Sequence, residues 1–134
     1  GKPRLAVLIS GGNLDSMLCH YTAAKKPRKK RCIYTWWRDG EAPDHATVVY
    51  AQQIKRLWPE MPVIIGGIEA SLRRFAHFDY WENKILPSIL VESNADLLIY
   101  GMGEKQIVEI ADYLAGGATI EDIQLCAGYS LFSR

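Results

Sequence analysis

The sequence predicts a three-layer α/β fold, a parallel sheet with helices on both faces, and three observations carry that expectation. Leu5-Ala-Val-Leu-Ile9, Val63-Ile-Ile65 and Leu97-Leu-Ile-Tyr100 are short continuous apolar runs, the character of strands buried on both sides. Helical periodicities separate them, and the order βαβαβα calls for right-handed crossovers between parallel strands. Two of the runs sit in a shared pattern, Pro62-Val-Ile-Ile-Gly-Gly-Ile-Glu-Ala-Ser71 and Asp96-Leu-Leu-Ile-Tyr-Gly-Met-Gly-Glu104, in which an apolar stretch ends in glycine and then a carboxylate. Open α/β sheets bind ligands beyond the carboxyl ends of their strands. Glycine there admits positive φ and lets backbone approach a ligand with no Cβ in the way. Two such ends in tandem imply one crevice.

The remaining elements follow in chain order. Ser10-Gly-Gly-Asn13 turns the chain after the first strand. Leu14, Met17, Leu18 and Tyr21 recur at helical spacing, with Asn13 or Asp15 as cap. Lys25 to Arg31 is basic at every position but Pro27, which closes that helix into a loop. A second helix opens at Pro43-Asp44, buries Tyr50, Ala51, Ile54, Leu57 and Trp58, and stops at Pro59. Glu69 to Glu92 reads as helical with breaks, since Leu72, Phe75, Phe78, Trp81 and Ile85 fit the helical period only loosely and Pro87 interrupts it. Ile107, Val108, Ala111 and Leu114 define a helix that Gly116-Gly117 terminates. Thr119-Ile-Glu-Asp122 caps a further short turn, and Ala127 to Phe132 is a last strand. No internal repeat or second domain is visible, so residues 1–134 read as one domain.

Composition narrows the function classes. At 134 residues, with 49% apolar residues and a formal net charge of +1, the chain is an ordinary globular protein with no global field to recruit a charged partner. Cys19, Cys32 and Cys126 are odd in number and scattered, forming neither a disulfide framework nor a CxxC site, and a reducing cytoplasm is the expected location. No stretch approaches a membrane span, and Gly1-Lys-Pro-Arg4 lacks the apolar core of a signal peptide. The basic run, with Tyr34, Trp36 and Trp37 after it, has the ingredients for phosphate contact and base stacking. A net charge of +1 argues instead for a solvated loop and against a dedicated nucleic-acid binder.

The candidate ligand-binding residues are Gly66, Gly67, Glu69, Ser71, Arg73, Arg74, Gly101, Gly103 and Glu104. The glycines would give backbone access, Glu69 or Ser71 a directed hydrogen bond, and the arginines a hold on an anionic group. The same glycines also suit plain strand-to-helix turns, and Glu104 at a helix start suits the helix dipole without any ligand. His77 has a structural reading beside aromatic neighbours, as do Phe75, Phe78 and Trp81 in a core. No catalytic residue is assigned.

Ser10-Gly-Gly-Asn-Leu-Asp-Ser16 resembles the Ser-Gly-Gly-x-Asp-Ser phosphate loop of the PP-loop ATP pyrophosphatases, set between a strand and a helix N-terminus where an anion is favoured. One extra residue between Gly12 and Asp15 would rotate Asp15 and Ser16 by about 100° on a helix. A longer resemblance outweighs it. Gly66-Gly-Ile-Glu-Ala-Ser-Leu-Arg-Arg-Phe-Ala-His-Phe-Asp-Tyr-Trp81, together with His20-Tyr-Thr-Ala-Ala-Lys-Lys26, Asp96 to Glu104 and Ile107-Val-Glu-Ile-Ala111, resembles the N-terminal region of the YgiQ-type radical SAM proteins over nearly the whole chain.

That resemblance implies a flavodoxin-like, cobalamin-binding-like α/β domain at the front of a larger enzyme. A downstream domain would carry CxxxCxxC for a 4Fe-4S cluster and bind S-adenosylmethionine. This chain, whose cysteines lie thirteen and ninety-four positions apart, would hold neither and would not be catalytic by itself. It implies too a further upstream strand, so that the domain is truncated on its N-terminal side and exposes a sheet edge through which two copies could pair. Two departures stand out. Cys32 to Glu41 is aromatic and charged where the family is rich in glycine and proline. The Asp-x-His-x-x-Gly motif of many cobalamin proteins is absent, leaving His45 and His77 as cobalamin ligands that no motif supports. The reading is therefore an accessory domain that positions or covers an unknown substrate; the rivals are a PP-loop ATP-binding domain using Ser10, Gly11 and Gly12, and a non-catalytic docking module.

Overall fold

Parallel strands form the centre of the computed structural model, which describes residues 1–28, 43–126 and 130–132. The strand β1 (Val7–Ser10) pairs in parallel with β2 (Val63–Gly66), Val7 opposite Val63 and Ser10 opposite Gly66. In turn β2 pairs in parallel with β5 (Leu97–Ile99), Ile64 opposite Leu97. A last strand, β6 (Ser130–Phe132), adds antiparallel to β5, giving the order β1-β2-β5-β6 with β1 at one edge. The three parallel strands are those the apolar runs predict; the last strand runs the other way. Lys29 to Arg31, Cys32, Tyr34, Trp36, Trp37 and Ala127 to Tyr129 lie outside the described residues.

Strand side chains alternate between two cores because the pleat has period two. Ile9, Val63, Ile65 and Leu98 face α2 (Ala46–Leu57) and α4 (Ile89–Ser93), against Val48, Ala51, Ile89 and Leu90. Ile64, Leu97 and Ile99 face the other way, against Ile110 of α5 (Glu104–Ala115) and Ile123 of α6 (Ile120–Cys126). Helices on both faces make the three layers expected from continuous apolar strands. Each side chain of this size, fully buried, contributes about 1.5–3 kcal/mol.

Helical faces differ from the predicted ones in detail. On α2 the buried residues are Ala46, Thr47, Val48 and Ala51, with Tyr50 and Ile54 packed beside them, while Leu57 is exposed. On α5 the buried residue is Ile110, with Leu114 behind it, and Val108 points to solvent. The first helical segment is only α1 (Ser16–His20), with Leu14 and Leu18 exposed. It ends before Pro27, where Tyr21 turns extended and bridges to Pro27.

The stretch from Glu69 to Glu92 is not a broken helix. A short helix α3 (Gly67–Leu72) leaves β2 with no intervening loop, and the antiparallel ribbon β3 (His77–Asp79) and β4 (Lys84–Leu86) follows. Asp79 accepts from the Glu82 amide at 2.6 Å and Asn83 takes φ +54°, which together close the turn. Pro87 and Ser88 then start α4, the Ser88 hydroxyl accepting from Leu90 N at 3.2 Å and donating to Arg74 O at 2.7 Å. Asp96 fixes the start of β2 by accepting from Val63 N at 2.7 Å while pairing with Lys55 at 2.7 Å.

Asp44 ties α1 to α2. It meets His20 Nδ1 at 2.6 Å and accepts from the Tyr21 hydroxyl at 2.9 Å. Burial pushes its carboxyl up, but the bonds from His20 and Tyr21 outweigh that and hold it below the ordinary value. A lowered pKa means stabilisation that is complete above the unfolded value of about 3.9 and lost as pH falls through the folded one. The stability gap between the native chain and Asp44→Asn in urea melts should therefore hold steady from about pH 6 to about pH 4 and shrink below that.

Candidate ligand crevice

The carboxyl ends of β1, β2 and β5 open into a crevice of about 300 Å³. Its wall is apolar and comes from the sheet face turned toward α5: Leu8, Ile64 and Ile99, with Ile107 of α5 opposite. Its mouth is Ser10, Gly66, Gly67, Gly101, Gly103 and Glu104. Five predicted residues, the four glycines and Glu104, thus meet in one place, as two parallel glycine-ended strands require.

Gly67 is required on two counts. Its φ is +85°, and a Cβ there would lie 2.5 Å from the Ser10 hydroxyl oxygen. The chain therefore passes from β2 into α3 with its backbone pressed against the end of β1.

The side chains of α3 do something other than the sequence suggests. Glu69 is 1% exposed and does not line the crevice. Its carboxylate accepts from Ser16 N at 3.1 Å and from Thr47 N at 3.3 Å, the first turns of α1 and α2. Two helix N-termini thus converge on one buried negative charge, the favourable sense of the helix dipole. Ser16 Oγ completes the arrangement by accepting from Ala46 N at 3.2 Å. That matters for α2, whose cap His45 sits at φ +51° and makes no side-chain capping bond. One turn along α3, Arg73 is buried and ion-paired with Asp15, which itself caps α1 by accepting from Met17 N at 3.0 Å and Leu18 N at 3.3 Å. Burial pushes the Arg73 guanidinium down from its usual value, with Asp79 and Glu92 opposing.

Arg73 is consequently not an anion-holding group of the crevice: its charge balances Asp15. Ser71 ties α3 to the neighbouring strand end by accepting from Gly101 N at 3.2 Å. Arg74 donates to Ser71 O at 2.6 Å and rests its guanidinium 5.0 Å from the Phe75 ring centre and 5.3 Å from that of Tyr100. Among the described residues, the ionisable side chain lining the crevice is Glu104, so the charge these offer to a ligand is negative. An apolar wall, glycine backbone and one carboxylate suit an apolar body bearing a hydrogen-bond donor or cationic group.

The phosphate-loop rival needs the N-terminus of α1 open. Here the Ser16 amide is taken by Glu69, the Ser16 hydroxyl by Ala46 N, and Gly12 N by the Ser10 hydroxyl at 3.2 Å. An anion would meet the Glu69 and Asp15 carboxylates. Among the described residues, no three His, Cys, Asp or Glu side chains are grouped so as to hold a metal ion, which applies to His45 and His77 too, and no helix is long and apolar enough to cross a membrane. Sequence reasoning missed the Asp15–Arg73 pair and the role of Thr47, separated from their partners by 58 and 22 positions with no local signal.

These features define an α/β domain of the class that opens a crevice at the carboxyl edge of a parallel sheet. The chain belongs to the Radical SAM N-terminal family, which it matches over residues 1–134. It is 57% identical over 117 residues to a UPF0313 protein of Clostridium perfringens (strain 13), covering 87% of this chain and 18% of that protein. A UPF0313 protein of Thermotoga neapolitana is 52% identical over 128 residues, covering 96% and 23%. One from Clostridium botulinum (strain 657) is 49% identical over 134 residues, covering 100% and 21%. The chain spans about a fifth of the length of the curated relatives it matches. No solved structure matches it.

The packing of Glu69 leaves no room beside Gly11, where an added Cβ would stand 2.5 Å from Glu69 Oε2 and 3.0 Å from Thr47 Oγ1. Gly11→Ala should lower unfolding stability by about 1–3 kcal/mol, read from the urea midpoint. An unchanged midpoint would mean that the carboxylate is not seated under this loop.

Proposed function

We propose that the chain is an accessory domain of a longer radical SAM protein, non-catalytic by itself, whose crevice positions or covers part of a substrate. The iron-sulfur cluster and S-adenosylmethionine are assigned to the polypeptide outside residues 1–134, and no motif in this chain supports cobalamin binding. Membership of the Radical SAM N-terminal family supports the accessory role, since the chain spans about a fifth of its relatives. The single observation that supports the positioning role is the crevice at the carboxyl edge of the sheet, with Glu104 at its mouth.

In this reading the substrate lays an apolar portion along Leu8, Ile64, Ile99 and Ile107 and directs a donor or cationic group to Glu104. The glycines at the strand ends let it approach the backbone. The residues here bind and orient. A group held this way contributes by orientation rather than by bond chemistry.

Glu104 is exposed on the first turn of α5, so Glu104→Gln should fold normally. In the full-length relative with its cluster assembled, consumption of S-adenosylmethionine is measured with and without an extract of the source cells as substrate. The variant should keep the basal rate and lose about tenfold of the stimulation by extract, the cost of one hydrogen bond to a charged group. Equal stimulation in both proteins would remove the crevice from substrate handling.

A further inference from the structure

The ribbon of β3 and β4 carries a second surface, separate from the crevice. Its side chains alternate across the pair. Leu86 and Asp79 turn inward and are buried, with His77 partly covered. Phe78 and Ile85 stand opposite each other in the register and turn outward, 61% and 77% exposed. Phe75, just before β3, is also exposed.

A single exposed apolar side chain is ordinary. A directly opposed Phe–Ile pair on a ribbon is different, because two-stranded ribbons have little stability of their own and a cross-strand apolar pair gains little while both members face water. This ribbon is held in place by other groups. Buried Asp79 closes the turn, the Tyr80 hydroxyl donates to Ala23 O at 2.7 Å, Lys25 Nζ donates to Trp81 O at 3.3 Å, and the Trp81 ring lies 5.4 Å from that of Tyr21. None of these fastenings uses Phe78 or Ile85. The result is a preorganised apolar face, and the adjoining charges, Lys84 and Glu82, pair with each other.

The size of the face selects its occupant. A few side chains fall well short of the roughly 800 Å² per partner that a stable complex formed from solution buries. A segment joined covalently acts at an effective concentration of about millimolar and needs far less area. Most of each relative's polypeptide, 77–82% of its length, lies outside the matched region. We propose that the Phe78–Ile85 face docks against an apolar surface of the remainder of the same polypeptide. This assignment rests on the chain being part of a longer protein and is independent of what the crevice binds.

The test places p-benzoylphenylalanine at position 85 of the full-length relative, with position 57 as control, since Leu57 is 66% exposed on α2. After irradiation, cross-linked peptides are mapped. Position 85 should join a peptide outside residues 1–134 of the same molecule, in several-fold higher yield than position 57. Links only within residues 1–134, links only between copies, equal yields at the two positions, or no links would each overturn the docking assignment. A mapped intramolecular link together with normal extract stimulation in Glu104→Gln would keep the docking and discard the substrate role; the opposite pair of results would do the reverse.

Discussion

One buried carboxylate holds the crevice end of this domain together. Glu69 satisfies the first amides of two helices, and it is tolerated in the interior because it accepts from both. Arg73, a turn further along the same short helix, supplies the positive charge that Asp15 requires. A six-residue helix would be marginal alone. Here α3 is a bracket whose two polar ends grip α1 and α2 while Ala70 packs into the core.

The crevice follows from that bracket. Because Glu69 and Arg73 spend their charges inward, the strand ends above them are left to glycine backbone and an apolar wall, and Glu104 gives the mouth its sign. The same inward turn closes the α1 N-terminus to phosphate. Family membership and the crevice are thus compatible with a domain that presents a surface to something else. The exposed pair on the ribbon has the same logic, in that its fastenings are internal and its apolar face is not.

Much of the fold was legible from the sequence. The three parallel strands are continuous apolar runs, a pattern that survives without tertiary context, and the convergence of Gly66, Gly67, Gly101 and Gly103 follows from parallel register. The ribbon was not legible: Phe75, Phe78 and Ile85 alternate loosely enough to mimic a disturbed helix, and the turn signal of Asp79 and Asn83 is spread over five residues. The roles of Glu69 and Arg73 were misread for a physical reason. Their sequence neighbourhood is glycine-rich and polar, which looks like a ligand loop, whereas their partners lie 53 and 58 positions away. A charge that completes a distant helix cap leaves no local trace.

Amide hydrogen exchange on the native chain and on Glu69→Ala, which removes both acceptor oxygens, tests the bracket most directly. If one carboxylate holds both helices, the substitution should speed exchange at the early amides of α1 and α2 together, Ser16 and Thr47 first, while the amides of α5 keep their protection. Unchanged protection at Ser16 and Thr47, or acceleration at only one of them, would contradict it.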